Sequence, residues 1–263
     1  MRIGLLGAGR MGREIGRFLL AGGREVAVYD PAAEARDALA ELGAVACQSP
    51  GEVAARSDLV LIVVVDDEQV RGAVAECLET AAAGTILAIC ASVRPDTCQE
   101  LAARGAERGV HVIDCALVGG ERGAEEGQLV FFCGGDEAVV DRVRAACEPC
   151  TRAVVHVGDV GAGQVAKTAN NILLWANIRA DVETLRLARA LGVDVKKLRA
   201  AMELGSGDNR PLREWGKHRL RWPHKDLEVA LAVAGEAGVE MKLVEQLPAL
   251  MRELTVDDLH ELL

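Results

Sequence analysis

The chain has little to offer a nucleic acid or a bilayer. Acidic residues outnumber basic ones, 40 to 30, for a formal net charge of −10, whereas a nucleic-acid partner normally needs a basic face. The basic cluster at residues 210–225 is interrupted by acids and apolar residues, and reads as a solvated or ligand-facing segment. No run of eighteen apolar residues occurs. The longest strong one, Leu59-Val60-Leu61-Ile62-Val63-Val64-Val65, suits a buried parallel strand and not a membrane span. The N-terminus enters a predicted strand at once, which leaves no room for a signal peptide and gives the expectation of a cytoplasmic protein. Internal repeats and low-complexity segments are absent. No metal site is expected: Cys147-Glu148-Pro149-Cys150 has no second pair and cannot make a four-ligand zinc site by itself. It reads as a helix end in a reducing compartment. All eight cysteines fall between Cys47 and Cys150. Cys90, Cys115 and Cys133 lie in predicted regular structure and read as small buried hydrophobes.

What is present begins at residue 2. Arg2-Ile3-Gly4-Leu5-Leu6 is a short apolar run, followed at once by Gly7-Ala8-Gly9-Arg10-Met11-Gly12, an amphipathic helix over about 10–20, and a second strand over 25–30 that ends on Asp30. Strand, G-x-G-x-x-G, helix, strand and acid in this order make the dinucleotide-binding fingerprint. Gly7 permits the tight turn, Gly9 lets the backbone touch a pyrophosphate, and Gly12 lets helix and strand pack closely. Arg10 and Met11 complete the loop, where the helix offers free N–H groups and a partial positive charge to phosphates. Asp30 lies twenty-one residues after Gly9. From there its carboxylate reaches both ribose hydroxyls and would repel a 2′-phosphate. Pro31-Ala32-Ala33 follows, with no arginine, so NAD is the expected cofactor and NADP the second choice.

At 263 residues, half of them hydrophobic, the chain can hold two domains. Further strands are expected at 59–65, 85–90, 110–114, 129–133 and 153–157, with helices between most of them, for example over 67–82 and 95–108. Such alternation predicts an α/β class with a doubly wound, mostly parallel Rossmann sheet. From residue 165 on there is no convincing strand. A helix over 164–191 is apolar nearly all round in its first half, which predicts burial. Helices over 196–203, 225–237, 241–253 and 256–262 follow. The expected organisation is a dinucleotide-binding domain at 1–160 and an all-helical domain for substrate binding and dimerisation at 161–263, joined by that long helix. The hinge is Gly158-Asp159-Val160-Gly161-Ala162-Gly163.

Inside the apolar helix sit Lys167 and Asn171, four residues apart and therefore on one face. Burial, or a nearby cationic nicotinamide ring, would lower the lysine pKa toward neutrality. A lysine so tuned can exchange a proton with a substrate oxygen. Composition alone favours a lysine that snorkels from the helix start.

Gly161-x-Gly163-x-x-x-Lys167-x-x-x-Asn171 resembles the catalytic motif of the β-hydroxyacid dehydrogenases, the 3-hydroxyisobutyrate dehydrogenase-like family of the 6-phosphogluconate dehydrogenase superfamily. The Gly7–Gly12 loop fits that family. So does Asp114-Cys115-Ala116-Leu117-Val118-Gly119-Gly120, with Ala124, Gly127 and Leu129 after it, which is similar to its substrate-binding motif. Lys225-Asp226-Leu227 is similar to a segment that lies near the cofactor. The resemblance spans nearly the whole chain. It implies Lys167 as general acid/base, Asn171 on the substrate, and Gly119 and Gly120 presenting N–H groups to a substrate carboxylate. It further implies Ser92 beside the nicotinamide or its ribose, and Lys225 approaching the cofactor with Asp226 positioning it. Val65-Asp66-Asp67 matches a cofactor-side loop in which Val65 replaces a proline.

Departures bear on substrate. Val118 stands where the family commonly has a serine that binds the substrate carboxylate. Ala116 replaces the usual proline, and Ala232 a common acid. The segment between Glu203 and Lys225 is shorter than in typical members. Arg210 could supply a replacement carboxylate contact, though a solvated arginine is the simpler reading; His224 reads as incidental. The implied function is an NAD(P)-dependent oxidoreductase that moves a hydride between nicotinamide and a small hydroxy acid or semialdehyde, as a homodimer or homotetramer. The rivals are an imine reductase-like enzyme of the same fold and a non-catalytic NAD(P)-binding sensor.

Overall fold

The computed structural model describes residues 1–263. They divide into two units, Met1–Lys167 and Thr168–Leu263. The first unit starts with β1 (Ile3–Leu6), α1 (Arg10–Ala21), β2 (Val26–Tyr29), α2 (Ala33–Ala40) and β3 (Val45–Ala46). It continues with α3 (Pro50–Arg56), β4 (Leu59–Ile62), α4 (Asp67–Thr80), β5 (Ile86–Ile89) and α5 (Pro95–Ala106). Then come β6 (His111–Val118), α6 (Gly120–Glu125), β7 (Leu129–Gly134), α7 (Glu137–Cys147) and β8 (Thr151–Gly158). The eight strands form one sheet in the order β3-β2-β1-β4-β5-β6-β7-β8. All pairs are parallel except β6 with β7. The order reverses between β1 and β4, and in open α/β sheets the crevice at that switch point is where ligands bind.

Strand sequences such as Leu59-Val60-Leu61-Ile62 are continuously apolar because both sheet faces are covered. Leu59 and Leu61 face one core with Ile15 and Leu19 of α1 and Val140 and Val143 of α7. Val60 and Ile62 face the other, with Val53 of α3, Val70 and Val74 of α4 and Leu101 of α5. Several helices begin on a side-chain acceptor: Ser49 takes the Glu52 N–H at 3.1 Å, Asp66 the Gln69 N–H at 2.9 Å, and Asp136 the Ala138 N–H at 2.9 Å. Helix α1 has no such cap, because Gly9 occupies the position.

The strand expected at 59–65 ends at Ile62. Its neighbours end in register, Ile62 opposite Leu6 and Ile89, so the apolar run outlasts the ladder and Val65 lies exposed in a loop. The strand expected at 110–114 instead runs to Val118, because β7 supplies an antiparallel partner for Asp114 through Val118. Two-residue β3 carries too short a pattern to be read.

The second unit continues α8 (Ala162–Ala190), which starts in the first, with α9 (Val195–Met202), α10 (Arg210–Arg213), α11 (Pro223–Glu236), α12 (Leu247–Arg252) and α13 (Val256–His260). Its core gathers Trp175, Ile178, Val182 and Leu185 of α8 with Trp215, Leu227, Leu247 and Met251. The first half of α8 is not buried all round: Val165 is 49% exposed and Leu173 62%. The core takes one helical stripe at i, i+3, i+7 and i+10, and the apolar residues off that stripe stay outside it. The helix expected over 241–253 begins only at Leu247. Pro248 lacks an N–H and its ring would clash with the carbonyl of Val244, so it is tolerated only in a first turn. No helix is long and apolar enough to cross a membrane. All eight cysteines are free and buried.

Candidate active site

The glycine loop sits at the C-terminal ends of β1 and β4. Gly7 has φ +95°, and a Cβ there would overlap the Val63 carbonyl. A Cβ on Gly9 would meet nothing within 4 Å. The space over Gly9 and the uncapped N-terminus of α1 together fit a pyrophosphate. Met11 packs against the core, while Arg10 points outward. Asp30, just past β2, accepts the Ala8 N–H at 2.7 Å and the Ala32 N–H at 2.9 Å. The second strand's acid is thus tied to the loop it serves. These residues fit a dinucleotide as the fingerprint requires. Val65 follows in the loop after β4, where the Val63 carbonyl meets Gly7, and its N–H donates to Gln69 Oε1 at 3.0 Å.

A second group of residues forms where α8 begins. Lys167 Nζ donates to Ser92 Oγ in the loop after β5. One turn earlier, Gln164 is buried and its amide spans the residues on either side of Ser92. Its Nε2 donates to the Ala91 carbonyl at 2.8 Å, and its Oε1 accepts the Val93 N–H at 3.3 Å. Beneath both lies Asp114 of β6, with no exposed surface. Its carboxylate accepts the Gly161 N–H at 2.6 Å and the Gln164 N–H at 2.9 Å. Burial pushes this carboxyl above the usual range, and the backbone N–H groups, Gly161 first, pull it back. The first turn of a helix leaves N–H groups unpaired. The preceding residue here, Gly161, has no side chain to take them, so the cap comes from a strand 47 residues away. Sequence reading placed Lys167 and Ser92 at the site; it missed Gln164 and gave Asp114 no task of its own. The signal was faint: a carboxylate at the end of a parallel strand, and a glutamine three residues before the lysine.

Val118 closes β6, and Gly119 and Gly120 follow with φ of +114° and +62°. Valine presents no polar atom, so the polar groups at this turn are backbone. The next residue, Glu121, pairs with Arg10 at 2.9 Å, joining the turn to the glycine loop.

In the second unit Asn171 lies on α8, its Oδ1 accepting from Asn170 Nδ2 at 3.2 Å. Lys225 lies in the first turn of α11, half-buried. Its neighbour Asp226 accepts the Trp175 indole N–H at 3.0 Å, which fastens α11 to α8 within this unit. Arg210 pairs with Glu214 at 3.1 Å on an exposed face.

A family profile described as the NAD binding domain of 6-phosphogluconate dehydrogenase matches residues 2–158. One described as NAD-binding of NADP-dependent 3-hydroxyisobutyrate dehydrogenase matches residues 161–261. The chain is 32% identical over 225 residues to the NAD-dependent L-serine dehydrogenase of Pseudomonas aeruginosa, covering 84% of this chain and 74% of that protein. It is also 32% identical over 226 residues to the 2-hydroxy-3-oxopropionate reductase of Escherichia coli, covering 84% and 76%. Among solved structures, Mycobacterium tuberculosis 3-hydroxyisobutyrate dehydrogenase with L-serine superposes with a TM-score of 0.89 at 26% identity, over 100% of this chain and 99% of that one. The imine reductase of Streptomyces aurantiacus shares the fold, at a TM-score of 0.68 and 21% identity. With these relatives, the chain is an NAD(P)-dependent oxidoreductase that acts on hydroxyl groups. Within that class, the chain belongs to the β-hydroxyacid dehydrogenase family.

Proposed function

We propose that this chain is an NAD-preferring dehydrogenase of a small β-hydroxy acid, with Lys167 as the group that moves the proton. The observation that carries the reading is the Lys167–Ser92 hydrogen bond at the C-terminal end of β5. Bound nicotinamide supplies or accepts the hydride. Lys167 Nζ gives a proton to the oxygen of the forming alcohol, or takes it during oxidation, and Ser92 Oγ holds the amine in line. Gly7, Gly9, Arg10, Met11 and Gly12 hold the pyrophosphate, and Asp30 holds the ribose. Val65 borders the cofactor, and Lys225 approaches it. Asn171 binds substrate. Because Val118 lacks a donor, the Gly119 and Gly120 N–H groups carry the substrate carboxylate. The names of two relatives point to three-carbon acids, L-serine and 2-hydroxy-3-oxopropionate.

Residues 1–160 act as the dinucleotide domain and 161–263 as the helical substrate and dimerisation domain, the division at which the two family profiles also part. Exposed Val165, Leu173, Leu187 and Leu191 on α8 and just beyond it supply the apolar surface for a homodimer or homotetramer. Eight unpaired thiols support a reducing, cytoplasmic setting.

The test is turnover of L-serine and 3-hydroxyisobutyrate with NAD and NADP, and of 2-hydroxy-3-oxopropionate, an uncharged aldehyde and a cyclic imine with NADH and NADPH. Lys167→Ala is run beside the wild type. Acid–base groups contribute about 10²–10⁴-fold, so the variant should lose that much kcat on a carboxylated substrate and keep its NAD affinity. Turnover confined to imines or uncharged carbonyls, or activity that survives Lys167→Ala, rejects the reading.

A further inference from the structure

We propose that Asp114 and Gln164 are the positioning residues of the lysine centre: Asp114 fixes where α8 starts, and Gln164 fixes the loop that presents Ser92. The inference rests on the reading of Lys167 as the proton-transfer group, but the contacts stand without it.

A lysine side chain has four rotatable bonds, and an ammonium on so flexible a stem is not placed by its own packing. Here both ends of its contact are fixed by others. On the helix side, the Asp114 carboxylate takes the N–H groups of Gly161 and Gln164. A negative charge at a helix N-terminus is favourable. Two bonds from one fully buried carboxylate set both the first residue and the rotation of the first turn. Residues 164 and 167 are three apart and share a face, so the rotation that seats Gln164 also aims Lys167. The site tolerates no slack: a Cβ on Gly163 would overlap the Phe132 carbonyl, and one on Gly134 would lie 2.6 Å from Asp114 Oδ1.

On the loop side, Gln164 binds the Ala91 carbonyl and the Val93 N–H, leaving Ser92 between two fixed points. A primary amide donates from its nitrogen and accepts at its oxygen in one plane, and does so without titrating. Glutamate lacks the donor and leucine lacks both groups. The first two turns of α8 thus contact three successive loop residues, 91 and 93 through Gln164 and 92 through Lys167. The sheet, the loop and the helix are locked together at the proton-transfer atom. Side chains held in this way are what a preorganised site requires.

The test needs no substrate. The chain has six lysines, and Lys167 is the only one in the first unit. Protein grown with lysine labelled by 13C at Cε gives one signal per lysine, assigned by Lys167→Arg, and a pH titration of that signal reports the amine. Ser92 accepts from the ammonium and so favours the charged form. Ser92→Ala should move the titration midpoint down by about half to one pH unit. Gln164→Leu should move it the same way with serine still present. The double variant should move it no further than Ser92→Ala alone, because Gln164 acts through Ser92. Asp114→Asn removes a charge and one acceptor at the helix start and should also lower the midpoint. Urea unfolding of each variant separates a local effect from general loss of structure. A Gln164→Leu protein that stays folded with the wild-type Lys167 titration overturns the inference, as do additive shifts in the double variant. If Lys167→Ala retains turnover while Gln164→Leu still moves the signal, the proton-transfer role fails and the positioning stands.

Discussion

Gly12 packs so tightly on Gly7 that a single added methyl carbon would overlap the Gly7 carbonyl oxygen. Three residues before Gly12, Gly9 has open space where its Cβ would be. The two glycines are therefore needed for different reasons, and alanine should separate them. Gly12→Ala forces backbone to move and should lower stability by about 1–3 kcal/mol, as overpacking does. Gly9, at φ −66°, accepts alanine without strain. Gly9→Ala should keep the wild-type urea midpoint while NAD binding, read by NADH fluorescence, weakens at least tenfold. Equal loss of stability in both variants would show that neither glycine is kept for the ligand.

Asp181 gives the second unit a pH signature. It is 4% exposed on α8, with one oxygen accepting from Asn209 Nδ2 at 3.1 Å and the other unpartnered. Burial pushes its carboxyl up to about 6 from the usual 3.8. The folded protein therefore holds this proton more tightly than the unfolded chain does. Its contribution to stability is complete below about pH 4 and is lost as pH rises through about 6. Asp181→Asn cannot ionise. Its stability relative to wild type should rise across that window and level off above it, by roughly 1–3 kcal/mol at pH 8. Urea titrations at pH 4.5, 6 and 8 measure this, and a difference independent of pH would mean that Asp181 titrates alike in the folded and unfolded chain.

The thiols should be silent. Burial pushes Cys77 up to about 12 and raises Cys90 further. Cys115 is raised by its contact with Cys133, Sγ to Sγ 3.3 Å across β6 and β7, and then by burial. Cys147 is raised by Cys150 in the same way. Only the thiolate reacts readily. Native protein at pH 8 should therefore release almost no chromophore from an aromatic disulfide reagent within minutes, and eight equivalents once unfolded. A fast-reacting native thiol would contradict this burial.

The sheet and the glycine loop were legible because their determinants are local. Apolar runs, a G-x-G-x-x-G and Asp30 all fall within thirty residues of one another. Lys167 stood out only through the resemblance of Gly161-x-Gly163-x-x-x-Lys167-x-x-x-Asn171 to a family motif. What sequence could not show were obligations met from a distance. The cap on α8 comes from Asp114, and the brace on Ser92 crosses 71 to 73 residues. Neither leaves a periodic trace. The helix expected over 241–253 is a different failure, because Pro248 stood in plain view and its hydrophobic surroundings outweighed it. Val65 shows the reverse: its apolar run continued past the last hydrogen-bonding neighbour, and composition cannot report where partners end.

The antiparallel turn between β6 and β7 also bears on how the chain refolds. Val118 pairs with Val130, the smallest sequence separation between partners anywhere in the sheet. Parallel neighbours wait for a crossover to close, and loop closure costs more as the chain between lengthens. This ribbon is the cheapest piece of sheet to assemble and belongs among the earliest to form. By that ordering the turn that carries Gly119 and Gly120 is expected to take shape before the parallel strands around the glycine loop pair, which early amide protection in β6 and β7 during refolding would show.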